Sequence, residues 1–161
     1  MASTTFSGPV TSTAGFISGS DALVSATDAS LTVTSAAHSG RTVLLDRAAG
    51  QAVTLPAATG SGNSYKFFVL TTITSNTTTI KVADATDVMA GVAIVANDSD
   101  ATASIFETAS TSDTITFDGS TTGGILGATV ELQDVATNLW SVRVVGAATG
   151  TEATPFSATV S

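Results

Sequence analysis

The segment from residue 40 to residue 70 constrains the fold more than any other part of the chain. It reads GRTVLLDRAAGQAVTLPAATGSGNSYKFFVL and contains three short apolar runs, residues 42–46, 51–55 and 65–70, separated by two clusters of turn-forming residues. Period-two alternation between Gly, Pro and Asn clusters is typical of consecutive strands in an antiparallel sheet. The segment therefore predicts a β-meander at the centre of a small all-β domain.

Alternating apolar runs continue through the remainder of the chain. Tyr65, Phe67 and Val69 share one face of their run, and Trp140 and Val142 share one face of the last clear run. Outside residues 40–70, seven runs alternate in this way: residues 30–34, 80–82, 92–96, 104–108, 114–117, 129–133 and 140–145. Roughly ten short strands with turns about every 8–12 residues are typical of a β-sandwich or barrel. We therefore predict a compact antiparallel β-sandwich or barrel, with a turn or a single helical turn at residues 84–91.

The chain length of 161 residues favours a single domain. We assign this domain to residues 21–161, and we predict that residues 1–20, rich in Ser, Thr and Gly, form an extended N-terminal arm. An alternative is that this segment is an ordinary first strand of the domain's own sheet. Few large apolar residues occur in the arm, and they are spaced along it by polar residues, as in an anchor that docks onto another surface: Phe6, Val10, Phe16 and Ile17.

The charge of the chain excludes two classes of partner. The formal net charge is −8, and only five Lys and Arg residues are present. Nucleic-acid binding requires a basic stripe that displaces counterions, and an acidic chain repels DNA and anionic membranes alike. We therefore expect neither nucleic acid nor membrane as a partner. Only 11% of the residues are charged, which suits a surface that packs against neighbouring proteins.

No residue pattern predicts catalysis. His38, the only histidine, lies in one local turn with Ser39 and Asp46, which is not the arrangement of a catalytic triad. We interpret His38 as a solvent-facing turn residue. We interpret four acids as scattered, solvated side chains rather than as the carboxylate pair of a glycosidase: Asp113, Asp118, Glu107 and Glu131. We expect a protein that is not an enzyme and that carries no cofactor.

Two acidic segments are the nearest approach to a metal site. Asp98 and Asp100 follow Asn97, and Asp84 and Asp87 form the second group. Neither segment has the spaced glycine and terminal glutamate of an EF-hand calcium loop. Capping of turns by Asx side chains accounts for both groups. The absence of cysteine excludes thiolate ligands, so we predict no metal site, with a cation near Asp98 and Asp100 as the alternative.

Four segments carry a resemblance to a known family. They are TFSGPV at residues 5–10, VTLPAATGSGNSYKFFV at 53–69, DATDVMAGV at 84–92 and WSVRVVG at 140–146. Together they resemble the capsid decoration, or cement, proteins of tailed bacteriophages, which are small virion structural proteins. Related strands with the TLPAATG pattern also occur in phage tail-fibre modules.

The resemblance implies a β-rich homotrimer on the outer surface of the capsid. At three-fold and quasi-three-fold positions it would bridge subunits of the major capsid protein. The TFSGPV segment implies capsid contact at Thr5, Phe6 and Val10, and hydrophobicity adds Phe16 and Ile17. The alternative from the same kind of particle is a tail- or head-fibre module that binds a receptor or carbohydrate.

Overall fold

The computed structural model describes residues 23–160, whose regular secondary structure is almost entirely β-strand. The prediction of an all-β fold is confirmed, and each of the ten predicted runs contains a strand. In this part of the chain there are twelve strands and one short helix: β1 (Leu23–Ala26), β2 (Ser30–Thr32), α1 (Ser35–His38), β3 (Thr42–Leu45), β4 (Ala52–Thr54), β5 (Ser64–Val69), β6 (Thr78–Lys81), β7 (Val88–Ala96), β8 (Ala103–Glu107), β9 (Thr114–Phe117), β10 (Thr129–Ala136), β11 (Leu139–Ala147) and β12 (Phe156–Ser157).

The strands form two sheets around one core. The seven-stranded sheet has the order β1-β3-β5-β10-β11-β7-β8, and the five-stranded sheet has the order β12-β9-β6-β4-β2. Buried apolar side chains from both sheets make up a single cluster. Each sheet ends in two edge strands, so the arrangement resembles a sandwich rather than one closed barrel.

Both sheets are mixed, and the predicted antiparallel arrangement is wrong for half of the strand pairs. The pairs β1–β3, β3–β5, β2–β4, β4–β6 and β7–β11 are parallel. The other five pairs are antiparallel. Parallel neighbours cannot be joined by a tight hairpin, so the chain must leave a sheet before it returns.

The strands from β1 to β6 alternate between the two sheets. The chain therefore winds through both sheets in successive coils, and strands from successive coils stack in parallel. The predicted meander over residues 40–70 is wrong for this reason, because β3 pairs with β5 while β4 lies in the other sheet. The turn-forming clusters mark corners where the chain changes sheet, not hairpins.

The strands from β7 to β12 follow a different route. β7–β8 and β10–β11 are antiparallel hairpins, and β7 and β11 pair along their full length. β9 and β12 extend the five-stranded sheet. The pairs β5–β10 and β6–β9 join the two parts of the chain, and we call these two pairs the seam.

The predicted alternation of side chains is confirmed in the core. Tyr65, Phe67 and Val69 are buried, as are Trp140 and Val142. The Tyr65 and Trp140 rings lie 5.7 Å apart between centroids in a tilted arrangement, a geometry that aromatic pairs favour. Strands β5, β10 and β11 therefore form a firmly packed centre of the larger sheet.

Three parts of the strand assignment differ from the sequence prediction. β1 and β12 were not predicted, and the predicted turn at residues 84–91 already contains the first four residues of β7. Gly91 lies within β7 rather than in a turn. A Cβ at this position would lie 1.8 Å from the Val142 carbonyl oxygen. The absence of a side chain therefore permits the close approach of β7 to β11.

Candidate interaction surface

A row of charged side chains crosses the outward surface of the seven-stranded sheet. We call this surface the outer face. Its side chains alternate along each strand with the buried side chains that face the core. Register places Thr42, Lys66, Glu131 and Arg143 next to one another on four successive strands. Lys66 Nζ lies 3.3 Å from Glu131 Oε1, and both side chains are about half exposed. Such a half-exposed pair adds little to the stability of the fold.

An apolar row lies beside the charged row on the outer face. Ile105 is 66% exposed and Val145 is 39% exposed. The other members of this row are half-buried, and one of them, Thr129, is polar. Apolar side chains that adjoin one another at the surface are typical of an interaction surface, whereas isolated ones are common everywhere. Strand register aligns the members of this apolar row on six successive strands: Leu44, Phe68, Thr129, Val145, Ile94 and Ile105.

At the charged row, and on the side of it away from the apolar row, the outer face is concave. A basin of about 490 Å³ extends over β3, β5, β10 and β11, and the charged row lines it. Three Lys and Arg side chains line it together with one carboxylate and several neutral polar groups. The charged and polar residues of the lining include Arg41, Lys66, Arg143, Glu131, Gln133 and Ser141.

The corner between β4 and β5 is fixed to β10 by the buried carboxylate of Asp134. The backbone N–H groups of Thr59, Gly60 and Ser61 donate hydrogen bonds to it at 2.7–3.1 Å. The hydroxyls of Thr59 and Ser61 add bonds of 3.2 and 2.6 Å. We call this group the Asp134 clamp. It holds the corner in one conformation next to the strands that carry the basin.

The electrostatics of the clamp favour the ionised carboxylate. Burial of Asp134 opposes ionisation, but the hydrogen bonds from Ser61, Gly60 and Thr59 outweigh it and hold the pKa well below its usual range. Burial, followed by the Asp134 charge, raises the pKa of the Tyr65 hydroxyl. The Asp134 carboxylate is therefore a buried anion at a fixed position, and the N–H groups of the corner already donate hydrogen bonds to it.

A second buried carboxylate near the clamp behaves in the opposite way. Burial raises the pKa of Asp87, and the nearby charges of Asp84 and Asp134 add to this effect. The hydrogen bond from the Ala58 N–H, 3.0 Å from Asp87 Oδ2, only partly opposes the increase. The pKa is thus lowered for Asp134 and raised for Asp87, so the two carboxylates contribute to the pH dependence of stability with opposite sign.

The interpretation of His38 as solvent-facing is wrong, because its ring is buried. Its Nδ1 lies 3.0 Å from the Thr34 N–H, at the start of the same short helix. Ser39 Oγ donates instead to Asn63 Oδ1, and Asp46 accepts from the Thr71 hydroxyl. His38, Ser39 and Asp46 therefore have separate partners and do not form a triad.

The interpretation of the acids as solvated is wrong for Asp113, which is buried. Its carboxylate accepts hydrogen bonds from the Thr159 and Val160 N–H groups at 2.8 and 3.1 Å. It thus fixes the tail after β12. Glu131 by contrast lies on the outer face beside Lys66.

The predicted capping of turns by Asp side chains is confirmed in two cases. Asp84 and Asp100 each accept from the backbone N–H two residues ahead, at 2.9 and 3.0 Å. Asp98 instead reaches the Gly150 N–H at 3.2 Å. Among residues 23–160, no group of three or more His, Cys, Asp or Glu side chains is placed to hold a metal ion.

The predicted capsid contacts lie outside the described residues and remain predictions. They are Thr5, Phe6, Val10, Phe16 and Ile17. The charged row and the basin were not predicted as a site, because Arg41, Lys66 and Arg143 entered the sequence argument only through net charge. Alternation indicates that Lys66 points outward. Its proximity to Arg143 follows only from the order β5-β10-β11, which no local pattern reveals.

No protein-family model matches this chain, and no curated protein or solved structure matches it either. The resemblance to phage decoration proteins thus rests on the four sequence segments alone. In the described part of the chain, no helix is long and apolar enough to cross a membrane.

Proposed function

We propose that the protein is a non-enzymatic virion structural protein that decorates the outer surface of a phage capsid. The structural observation that supports this proposal best is the outer face, a broad sheet surface on which a partly exposed apolar row lies beside a charged row. The resemblance of four segments to capsid decoration proteins supplies the particle. The net charge of −8 suits the outside of a shell that contains DNA.

In the proposed mechanism, burial of apolar surface bridges neighbouring subunits of the major capsid protein at three-fold and quasi-three-fold positions. Homotrimers would present three equivalent surfaces to a symmetric platform. Because the three contacts are linked, modest individual affinities combine through a high effective concentration.

The N-terminal segment adds a second contact in this proposal. Residues 1–20 could span up to roughly 65 Å when extended, at about 3.3 Å per residue. The apolar residues Phe6, Val10, Phe16 and Ile17 would be the anchors, with Thr5 beside the first of them.

The copy number of the chain in purified particles is the decisive first test. We expect hundreds of copies, near one per subunit of the major capsid protein, measured by quantitative mass spectrometry. A handful to a few dozen copies per particle would instead indicate a tail or vertex fibre, and the decoration proposal would be wrong.

Deletion of residues 1–20 tests the arm. We expect the shortened chain to keep its circular dichroism spectrum and its trimeric mass in light scattering but to lose binding to undecorated heads. A shortened chain that still saturates the heads would remove the arm from the mechanism.

Single substitutions test the outer face. Ile105→Ser is expected to lower capsid occupancy or trimer stability, because it removes the most exposed member of the apolar row. Leu126→Ser is the matched control, since Leu126 is 60% exposed but follows β9 in a loop. Equal effects of the two substitutions would exclude the apolar row as the specific contact.

A further inference from the structure

The positive charges of this protein are concentrated in one place. The whole chain has only five Lys and Arg residues against thirteen Asp and Glu residues. Three of the five, Arg41, Lys66 and Arg143, line the basin on the outer face, where Glu131 is the one opposing charge. The basin is therefore locally cationic on a strongly acidic protein. Because charges are scarce here, such clustering is unlike the mixed surface of an ordinary soluble domain.

The side chains of Arg41 and Arg143 have no acceptor in the described part of the chain, residues 23–160. Arg47 differs, because its guanidinium donates to the carbonyls of Gly50 and Thr27 at 2.8 and 3.3 Å. Lys66 is paired with Glu131. Thus two guanidinium groups at the basin are available to a ligand, while the guanidinium of Arg47 stabilises the fold.

The support of the basin is rigid. Strands β3, β5, β10 and β11 place the charged row by continuous register, and the Asp134 clamp holds the adjoining corner. A ligand would therefore meet groups whose backbone positions are already fixed, which lowers the entropic cost of binding.

The chemistry of the basin selects carboxylates. A guanidinium group offers parallel N–H donors that match the two oxygens of a carboxylate or phosphate. Gln133 and Ser141 add neutral polar groups that suit a peptide backbone. A volume of about 490 Å³ accommodates a few side chains but not a long stripe of phosphates, and the remaining acidic surface repels an extended polyanion.

We propose that the basin binds an acidic segment of a partner protein, with carboxylates paired to Arg41 and Arg143. This inference names the chemistry of the partner surface, which the decoration proposal leaves open. It does not depend on where in a particle the protein lies.

The proposal is tested with the full-length chain and a fluorescein-labelled octapeptide of alternating Asp and Glu, by fluorescence anisotropy at low salt. The matched peptide carries Asn and Gln instead. We expect saturable binding of the acidic peptide only, weakened in 0.5 M salt. Arg143→Gln and Arg41→Gln should each weaken binding by about tenfold, as expected for loss of a charged hydrogen-bonding partner. Failure of the acidic peptide to bind would overturn the proposal.

Lys81→Gln is the control variant, because it makes the same change in net charge on β6 of the other sheet. We expect it to change peptide affinity by less than about twofold, the size of a long-range charge effect. Equal weakening by Lys81→Gln and Arg143→Gln would show that only net charge matters and would overturn the proposal. Tighter binding of a single-stranded DNA octamer than of the peptide would do so too. Thermal melting of each variant confirms that all are folded.

Discussion

The first and second halves of the chain reach the same two sheets by different routes. Residues 23–81 wind from one sheet to the other in coils, so neighbouring strands in this half are parallel. Residues 88–157 contain the two hairpins, whose strands are adjacent in both sequence and space. Similar strand patterns thus produced two topologies, and the difference lies in whether a connecting segment turns back within a sheet or crosses to the other one.

The two halves are stabilised through the seam rather than separately. β5 pairs with β10 and β6 pairs with β9. The Asp134 clamp, a close backbone approach at Gly119 and the Lys66–Glu131 ion pair all lie between residues of different halves. Changes at the seam should therefore cost more than similar changes within one half.

Removal of the Asp134 carboxylate is expected to have the largest effect. Asp134→Ala leaves three backbone N–H groups and two hydroxyls of the corner without their acceptor. Loss of buried hydrogen bonds to a charged group should lower the free energy of unfolding by about 4 kcal/mol. Urea denaturation followed by circular dichroism measures this value.

The control for this change is Asp100→Ala. Asp100 is an exposed cap within the β7–β8 hairpin and bonds only to Thr102. Its loss should cost less than about 1 kcal/mol. If the two variants are equally stable, the clamp does not join the halves.

A methyl group at Gly119 is the next largest change. Gly119 has a φ of +78°, and a Cβ there would lie 1.8 Å from the Ile73 carbonyl oxygen of the other half. Gly119→Ala should cost about 3 kcal/mol, from left-handed strain plus a displaced backbone contact. Gly62→Ala has a similar φ of +76° but open space around it, so about 1 kcal/mol is expected. A thermal or urea melt in which both variants lose the same stability would contradict the close contact.

The pH dependence of stability should have two opposing contributions. Asp134 has a lowered pKa in the folded state, so its contribution is present above the unfolded pKa of about 3.9 and is lost as the pH falls below it. Asp87 has a raised pKa, so the folded state gains stability as the pH falls through that higher value. Urea midpoints should therefore rise on mild acidification and then fall. Asp87→Asn should abolish the rise, and Asp134→Asn should flatten the fall; unchanged profiles would exclude these assignments.

The smallest effect is expected for the ion pair across the seam. Lys66 and Glu131 are half exposed, so a double-mutant cycle with alanine should give a coupling of about 0.5 kcal/mol or less. The coupling should disappear in 0.5 M salt. A coupling above about 1.5 kcal/mol would place this pair among the structural contacts of the seam rather than among its exposed charges.

The positions of strands could be predicted from the sequence because alternation is a local property. The burial of Tyr65 and Trp140 follows from it directly. Strand pairing could be inferred only where a short turn joins two strands. In the coiled half the pairing is remote, and the coils have unequal lengths: Thr42 aligns with Leu23 in one coil and with Lys66 in the next. No fixed period in the sequence marks such stacking.

The candidate surface was less predictable than the fold. Its charged row brings together Lys66, Glu131 and Arg143 from three strands, two of which are distant in sequence from the third. The burial of Asp113 and Asp134 was equally hard to predict, because the groups that donate hydrogen bonds to these carboxylates are backbone N–H groups of remote segments. The amino-acid sequence does not show where the backbone N–H groups of a remote segment point.

The seam also determines what happens while the chain is being synthesised. When the first half has left the ribosome, β5 and β6 each have one unpaired edge, and their partners β10 and β9 are still to be made. Open strand edges with apolar faces recruit other chains. The nascent protein is thus most vulnerable to aggregation midway through translation, and a premature stop before residue 88 would release a product in which these two strand edges have no partner.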